Sequence, residues 1–199
     1  MNKSIKPMFD IKHEYIVPQS MDVSCGPAGL STLLNFYLEN PITEFEIIKK
    51  LLDQVPIEKV RERKGFTLLD LKNFAESKGY TVTGYKAMDV AFLKEIKRPV
   101  LVPINFKNFN HFVIVKGVIA DRVFIADPTA GNLSMKISKF EKIWSHGIGL
   151  VIEKPKHGET SEYALQVKTE DLIISDYKRL RQLIDKSAIR TAIYTSEWK

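Results

Sequence analysis

The chain has 199 residues, 44% of them hydrophobic and 27% charged, a composition ordinary for a globular protein with a core of its own. The length fits one domain with an extension. The 30 basic and 24 acidic residues give a net charge of +6, spread along the chain with no Lys/Arg block interleaved with aromatics, so nucleic-acid binding is not expected.

The opening Met1-Asn2-Lys3-Ser4-Ile5-Lys6-Pro7 lacks the apolar stretch of a signal peptide. The compartment stays open: periplasmic if an export signal has been removed, cytoplasmic otherwise. No apolar run approaches the roughly 18 residues needed to span a bilayer. Gly26-Pro27 opens a helix with Leu30, Leu33, Leu34 and Tyr37 at helical spacing, and Pro27 suits the first helical position. Thr43 and Glu46 predict a capping box ahead of Ile47, Ile48, Leu51 and Leu52. Thr67 with Asp70 predicts another start, for a helix over 68–77 stopped near Gly79. A short helix is expected over 90–96.

The pattern then turns to strands, at 80–86, 100–106, 111–118, 123–126, 133–137 and 148–153, all rich in β-branched and aromatic residues. Asp121-Arg122 reads as a tight turn, and a short helix over 138–144 interrupts the strands. Helices followed by neighbouring strands predict an α+β fold, with N-terminal helices packed on an antiparallel sheet. From Pro155 to Glu162 the chain becomes polar. Tyr177, Leu180, Leu183 and Ile184 then fall at helical spacing among Lys and Arg. The expected organisation is a domain over 1–153 and, over 154–199, a linker and an amphipathic helical C-terminal extension. That helix is expected to dock on its own domain, with a membrane surface or a partner as the other readings.

The lone cysteine, Cys25, lies at the start of the first helix, where free N–H groups and the dipole's positive end favour the nucleophilic thiolate. Its bland reading is a small buried apolar residue. Gln19 lies shortly before it, and its side-chain amide could donate to an oxyanion, with the Cys25 N–H as second donor. By itself it would be an ordinary loop residue. His111 opens the strand His111-Phe112-Val113-Ile114-Val115. Asp127 ends the strand Val123-Phe124-Ile125-Ala126 just before Pro128, where Asp-Pro is also a common turn dipeptide. On adjacent antiparallel strands, Asp127 would hold the His111 imidazole in its useful tautomer. His13, His146 and His157 fit no such arrangement, and no spacing among the four His and one Cys suits a metal, so neither metal nor cofactor is expected. Each residue is weak evidence alone. Together, Gln, Cys, His and Asp stand in the chain order of papain-like peptidases.

The segments from Gln19 to Ala28, from His111 to Val115, and Ile125-Ala126-Asp127-Pro128 with Gly131 resemble the bacteriocin-processing cysteine peptidases. The resemblance covers about residues 15 to 153 and includes all four candidate positions. It implies a papain-like fold, a catalytic Cys25, His111 and Asp127, and Gln19 in the oxyanion hole. Members of that family cut leader peptides after a double glycine, usually as a cytoplasmic domain of an ABC exporter. The segment from Gly65 to Lys72, with Gly84-Tyr85-Lys86, is also similar to stand-alone members encoded with bacterial functional-amyloid export systems. No Gly-x-x-x-x-Gly-Lys pattern occurs, so an exporter-fused role is not expected.

The resulting expectation is a cysteine endopeptidase processing an exported peptide or protein, with an export system as a further partner. The alternative is a peptide-binding accessory module with little or no turnover. A third reading is an acyltransferase or amide hydrolase of the same fold.

Overall fold

The local chemistry of the first half sets helix starts with little ambiguity. The structure, a computed structural model, describes residues 12–106, 109–153, 163–168 and 171. Helix α1 spans Cys25–Phe36 and is buried from Cys25 through Leu34. Pro27 falls in its first turn rather than at its first position, where a missing N–H still costs nothing. Helix α2 (Glu44–Leu52) begins with the capping box expected of Thr43 and Glu46. Helix α4 (Leu68–Ser77) begins with the one expected of Thr67 and Asp70, and Gly79 follows its end at φ +86°.

Between them lies a helix the pattern did not reveal, α3 (Ile57–Arg63). Its sequence is mostly charged and only Val60 is buried, so it offers no apolar stripe to read. It closes on Lys64 in the left-handed conformation.

Strand β1 (Thr81–Tyr85) leads through α5 (Val90–Glu95) into β2 (Val100–Phe106), β3 (Phe109–Ile119), β4 (Arg122–Asp127) and β5 (Gly131–Lys136). Helix α6 (Ile137–Ile143) and β6 (Gly149–Glu153) follow. The six strands form one sheet in the order β1-β6-β2-β3-β4-β5, and every pairing is antiparallel. The α+β architecture expected from the sequence is the one observed.

Two strand boundaries differ from expectation. β3 starts at Phe109, so His111 is its third residue and stands opposite Ile104, not at the strand's mouth. The ladder is prolonged by Asn105 and Asn110, whose side chains bond each other at 3.3 Å, and such polar residues carry no strand signal. The β3–β4 turn is Ala120-Asp121, one residue earlier than expected, because Ile119 pairs with Arg122 and Ala120 takes φ +51°. A two-residue hairpin needs positive φ, and alanine does not advertise it.

Both faces of the sheet are buried, and the strands alternate between them. Leu101, Ile114, Ala126 and Leu150 pack with the residues of α1, α2 and α4. Val102, Val113, Val115 and Ile125 pack with Leu93 of α5 and Phe140 of α6. Beyond β6, residues 163–167 lie against the first of these layers. Leu165 is fully buried and its N–H bonds the Phe36 carbonyl at the end of α1. Tyr163 meets Tyr37 edge to face, and Val167 crosses Gly117 of β3 so closely that a β-carbon there would lie 3.2 Å from it. The expected amphipathic helix around Tyr177 to Ile184 lies outside the described residues.

Candidate active site

Cys25 is the first residue of α1 and is buried. The first-turn N–H groups of the helix, which have no partner inside it, therefore begin at the sulfur-bearing residue. Ser24 precedes the helix but does not cap it through its side chain. Its hydroxyl instead closes a turn, donating to the Met21 carbonyl at 2.8 Å and accepting from the Met21 N–H at 3.1 Å. Close packing fixes the helix start. A β-carbon on Gly26 would lie 3.0 Å from Leu71 and 3.2 Å from Phe112, the residue next to His111.

The sheet supplies the other half. With Ile114 opposite Ala126, the end of β4 brings Asp127 within diagonal reach of His111 on β3. His111 Nε2 lies 2.8 Å from Asp127 Oδ1. The same oxygen accepts the N–H groups of Thr129 at 2.8 Å and Ala130 at 3.1 Å. This chain reversal needs Gly131, which has φ +78° and sits so close to Lys12 that a β-carbon would fall 2.4 Å from its carbonyl oxygen.

Burial opposes the charge on both partners, yet each stays charged. Desolvation pushes the His111 imidazolium down, but hydrogen bonds to Asp127 and then Cys25, together with the negative charge of each, outweigh it and raise the ring to about 9. Desolvation likewise pushes the Asp127 carboxyl up, and the bond to His111, the imidazolium charge and the two backbone N–H groups hold it below the usual range. Since Asp127 occupies Nε2, the nitrogen left for Cys25 is Nδ1.

Gln19 is joined to the other side of the same loop. Its N–H donates to the Pro128 carbonyl at 3.0 Å. Its Oε1 accepts the Thr129 hydroxyl at 2.8 Å, and its Nε2 donates to the Met21 carbonyl at 3.1 Å. The next residue, Ser20, donates its N–H to both carboxylate oxygens of the buried Glu44, at 3.1 and 3.2 Å.

All four residues singled out in the sequence thus fall in one region: Asp127 bonds His111, Cys25 helps raise the ring's pKa, and Gln19 is tied to the Asp127 loop. Thr129, Glu44 and Ser24 were not anticipated. An Asp followed two residues later by Thr is a recognisable turn signal, but nothing in the sequence links Thr129 to Gln19, so far away along the chain. Among the described residues no group of three or more His, Cys, Asp or Glu could hold a metal ion, and no helix is long and apolar enough to cross a membrane.

Several known proteins are similar to this chain in sequence or in fold. The chain is 30% identical over 150 residues to the "Probable functional amyloid protease FapD" of Pseudomonas aeruginosa, a match covering 75% of this chain. It spans 66% of that relative's length, just under two thirds. The peptidase domain of Streptococcus ComA, a bifunctional ABC transporter involved in quorum sensing, superposes with a TM-score of 0.60 at 21% identity, over 72% of this chain and 100% of that domain. A double glycine motif protease from an AMS/PCAT transporter, solved in complex with the leader peptide, gives 0.51 at 24% identity over 72% and 96% of the two chains. At such identities these structures speak for the fold, which is that of the papain-like peptidase domains. The family model described as "Peptidase C39 family" matches residues 13–157, and the chain belongs to that family of cysteine peptidases.

Proposed function

We propose that this chain is a cysteine endopeptidase that processes an exported peptide or protein, with Cys25 as nucleophile, His111 as base and acid, Asp127 as orienter and Gln19 as oxyanion donor. The observation that carries the reading is the His111–Asp127 pair at 2.8 Å, with Cys25 near enough to help raise the ring's pKa. An imidazolium that persists up to about 9 would stabilise a thiolate beside it, the form in which a sulfur attacks without a prior proton transfer.

The sulfur would attack the scissile carbonyl and form the C–S bond. The oxygen, now negative, would sit against the Gln19 amide and the Cys25 N–H. Collapse of this intermediate expels the amine, which takes the His111 proton, and a thioester remains. His111, now neutral, draws a proton from water, whose oxygen attacks the thioester. The acid leaves, and the pair is restored. Asp127 holds the ring in orientation throughout and stabilises its charged form.

The substrate class rests on the relatives: one is named a functional amyloid protease, another was solved with a leader peptide. A leader ending in a double glycine, on cargo bound for an export system, is the substrate we infer. The domain that does this work is proposed to occupy 1–153, with 154–199 as its extension. The test is a synthetic leader peptide with a Gly-Gly junction, followed by mass spectrometry. Cleavage after the second glycine by the wild type and none by Cys25→Ala supports the reading. Binding of the leader without cleavage would make the chain an accessory module instead.

A further inference from the structure

We propose that Thr129 is a positioning residue, whose hydroxyl locks the Gln19 amide in the one orientation that turns an N–H toward the oxyanion. The inference rests on the proposed role of Gln19. A glutamine amide has two nearly isosteric faces, and only one presents donors. Two contacts decide between them. The Met21 carbonyl can only accept, so the group 3.1 Å from it must be Nε2. The Thr129 hydroxyl, 2.8 Å from Oε1, then donates, fixes the amide plane from its other end, and draws electron density toward the oxygen. One Nε2 hydrogen goes to Met21, and the second remains for a ligand.

Thr129 suits this task because its own backbone is anchored. Its N–H bonds Asp127 Oδ1, the oxygen that also takes His111 Nε2, and the preceding Pro128 carbonyl takes the Gln19 N–H. The short segment from Asp127 to Thr129 therefore sets the imidazole through a carboxylate and the oxyanion donor through a hydroxyl. Substituting the side chain of Thr129 removes the second connection and leaves the first, which is made by backbone.

The experiment uses two probes that both react at Cys25 but differ in needing an oxyanion site. N-acetyl-glycyl-glycinal adds reversibly: the sulfur bonds the aldehyde carbon and the π electrons move to oxygen, which is left as an alkoxide beside the protonated His111 ring. Iodoacetamide alkylates the sulfur with loss of iodide and creates no oxyanion. The aldehyde Kd is read from protection against alkylation, so no peptide substrate is needed. Thr129→Val is expected to weaken the aldehyde adduct by about tenfold, a fraction of what loss of a whole oxyanion donor costs. Its alkylation rate without aldehyde stays within about twofold of wild type, and Thr129→Ser restores the adduct by keeping the hydroxyl. In a Gln19→Ala background, Thr129→Val has no further effect, because the two act as a unit. An unchanged aldehyde Kd in Thr129→Val, an equal loss in the Gln19→Ala background, or an alkylation rate that falls as far as the adduct affinity each overturns the inference. If Gln19→Ala itself leaves the adduct unchanged, the oxyanion role of Gln19 falls first and Thr129 with it.

Discussion

The two sides of the site are held by different forces. The helix side, from Cys25 into α1, is set by volume: the helix start has no side-chain cap and nests against Leu71 and Phe112 because Gly26 has no β-carbon. The sheet side, with His111 and Asp127, is set by polar bonds: one carboxylate oxygen collects a ring nitrogen and two backbone N–H groups. The difference teaches what each side tolerates. Packing constrains the size of a side chain and is indifferent to charge, whereas the polar cluster constrains protonation and depends on pH. Mutations of the two sides should fail in different ways.

The largest effect expected is at Cys25, the proposed nucleophile. Cys25→Ala or Cys25→Ser abolishes turnover of a leader peptide, with the thermal midpoint close to wild type, since both replacements are small and the site is packed for a small residue. His111→Ala comes next and loses nearly as much, because base and nucleophile act as a unit. Gln19→Ala lowers kcat by about a hundredfold, the scale of one lost oxyanion donor. A Cys25 variant that retains turnover would end the comparison, since no helix side of the site would then exist.

The polar side is read through pH. Below about 9 the His111 ring is protonated, so activity that needs the imidazolium has its alkaline limit near that pH. Asp127→Asn removes the strongest support of that proton after burial has opposed it. The alkaline limb then moves down toward the ordinary histidine value, with a smaller loss of kcat than either Cys25 or His111 substitution. Stability follows the same sign. The folded-state value lies above the unfolded one of 6.5, so the stabilisation is fully present below pH 6.5 and is lost as pH rises through about 9. Denaturation midpoints of the wild type should fall between these limits, and in Asp127→Asn the slope should flatten. An Asp127→Asn limb that stays near 9 would assign the raised value to Cys25 alone.

How much of this was legible follows the same division. Helix starts were readable because capping boxes are local, written three residues apart in Thr43-Glu46 and Thr67-Asp70. The strands were readable from their β-branched content, and the order of Gln19, Cys25, His111 and Asp127 pointed at one site. Helix α3 escaped because it buries only Val60, and the start of β3 escaped because its ladder runs on through asparagines. The bonds of Thr129 to Gln19 and of Glu44 to Ser20 are products of the fold. Threonine in a turn and glutamate in the first turn of a helix are each explained locally, so neither looks like part of a site. The burial of residues 163–167 was likewise hidden, because Tyr163, Leu165 and Val167 are too short a run to declare an element.

A modest effect is expected at Gly26. In Gly26→Ala the new β-carbon would lie 3.0 Å from one Leu71 methyl and 3.2 Å from the Phe112 ring, so both must give by a few tenths of an ångström. Overpacking of this kind costs about 1–3 kcal/mol. Because Phe112 adjoins His111, kcat should fall severalfold while the alkaline limb stays near 9. A shifted limb with unchanged stability would show that the two sides are not separable in this way.

The smallest effect on chemistry is expected at the far end of the same helix. Cys25 opens α1, and residues 163–167 cover its close, where Leu165 is fully buried and bonds the Phe36 carbonyl through its backbone. Leu165→Ala keeps that backbone bond and empties a packed position, which costs about 2–5 kcal/mol depending on how far the site collapses. The loss should appear in the denaturation midpoint. It should leave kcat at temperatures well below melting within about twofold, because a helix transmits little through its length when its other end is wedged independently by Gly26 against Leu71 and Phe112. Stopped-assay kinetics beside thermal melts of the same preparation make the check. If kcat falls in step with stability, the placement of Cys25 depends on the whole of α1 and not on the packing of its first turn, and the helix side of the site must be drawn to include residues 163–167.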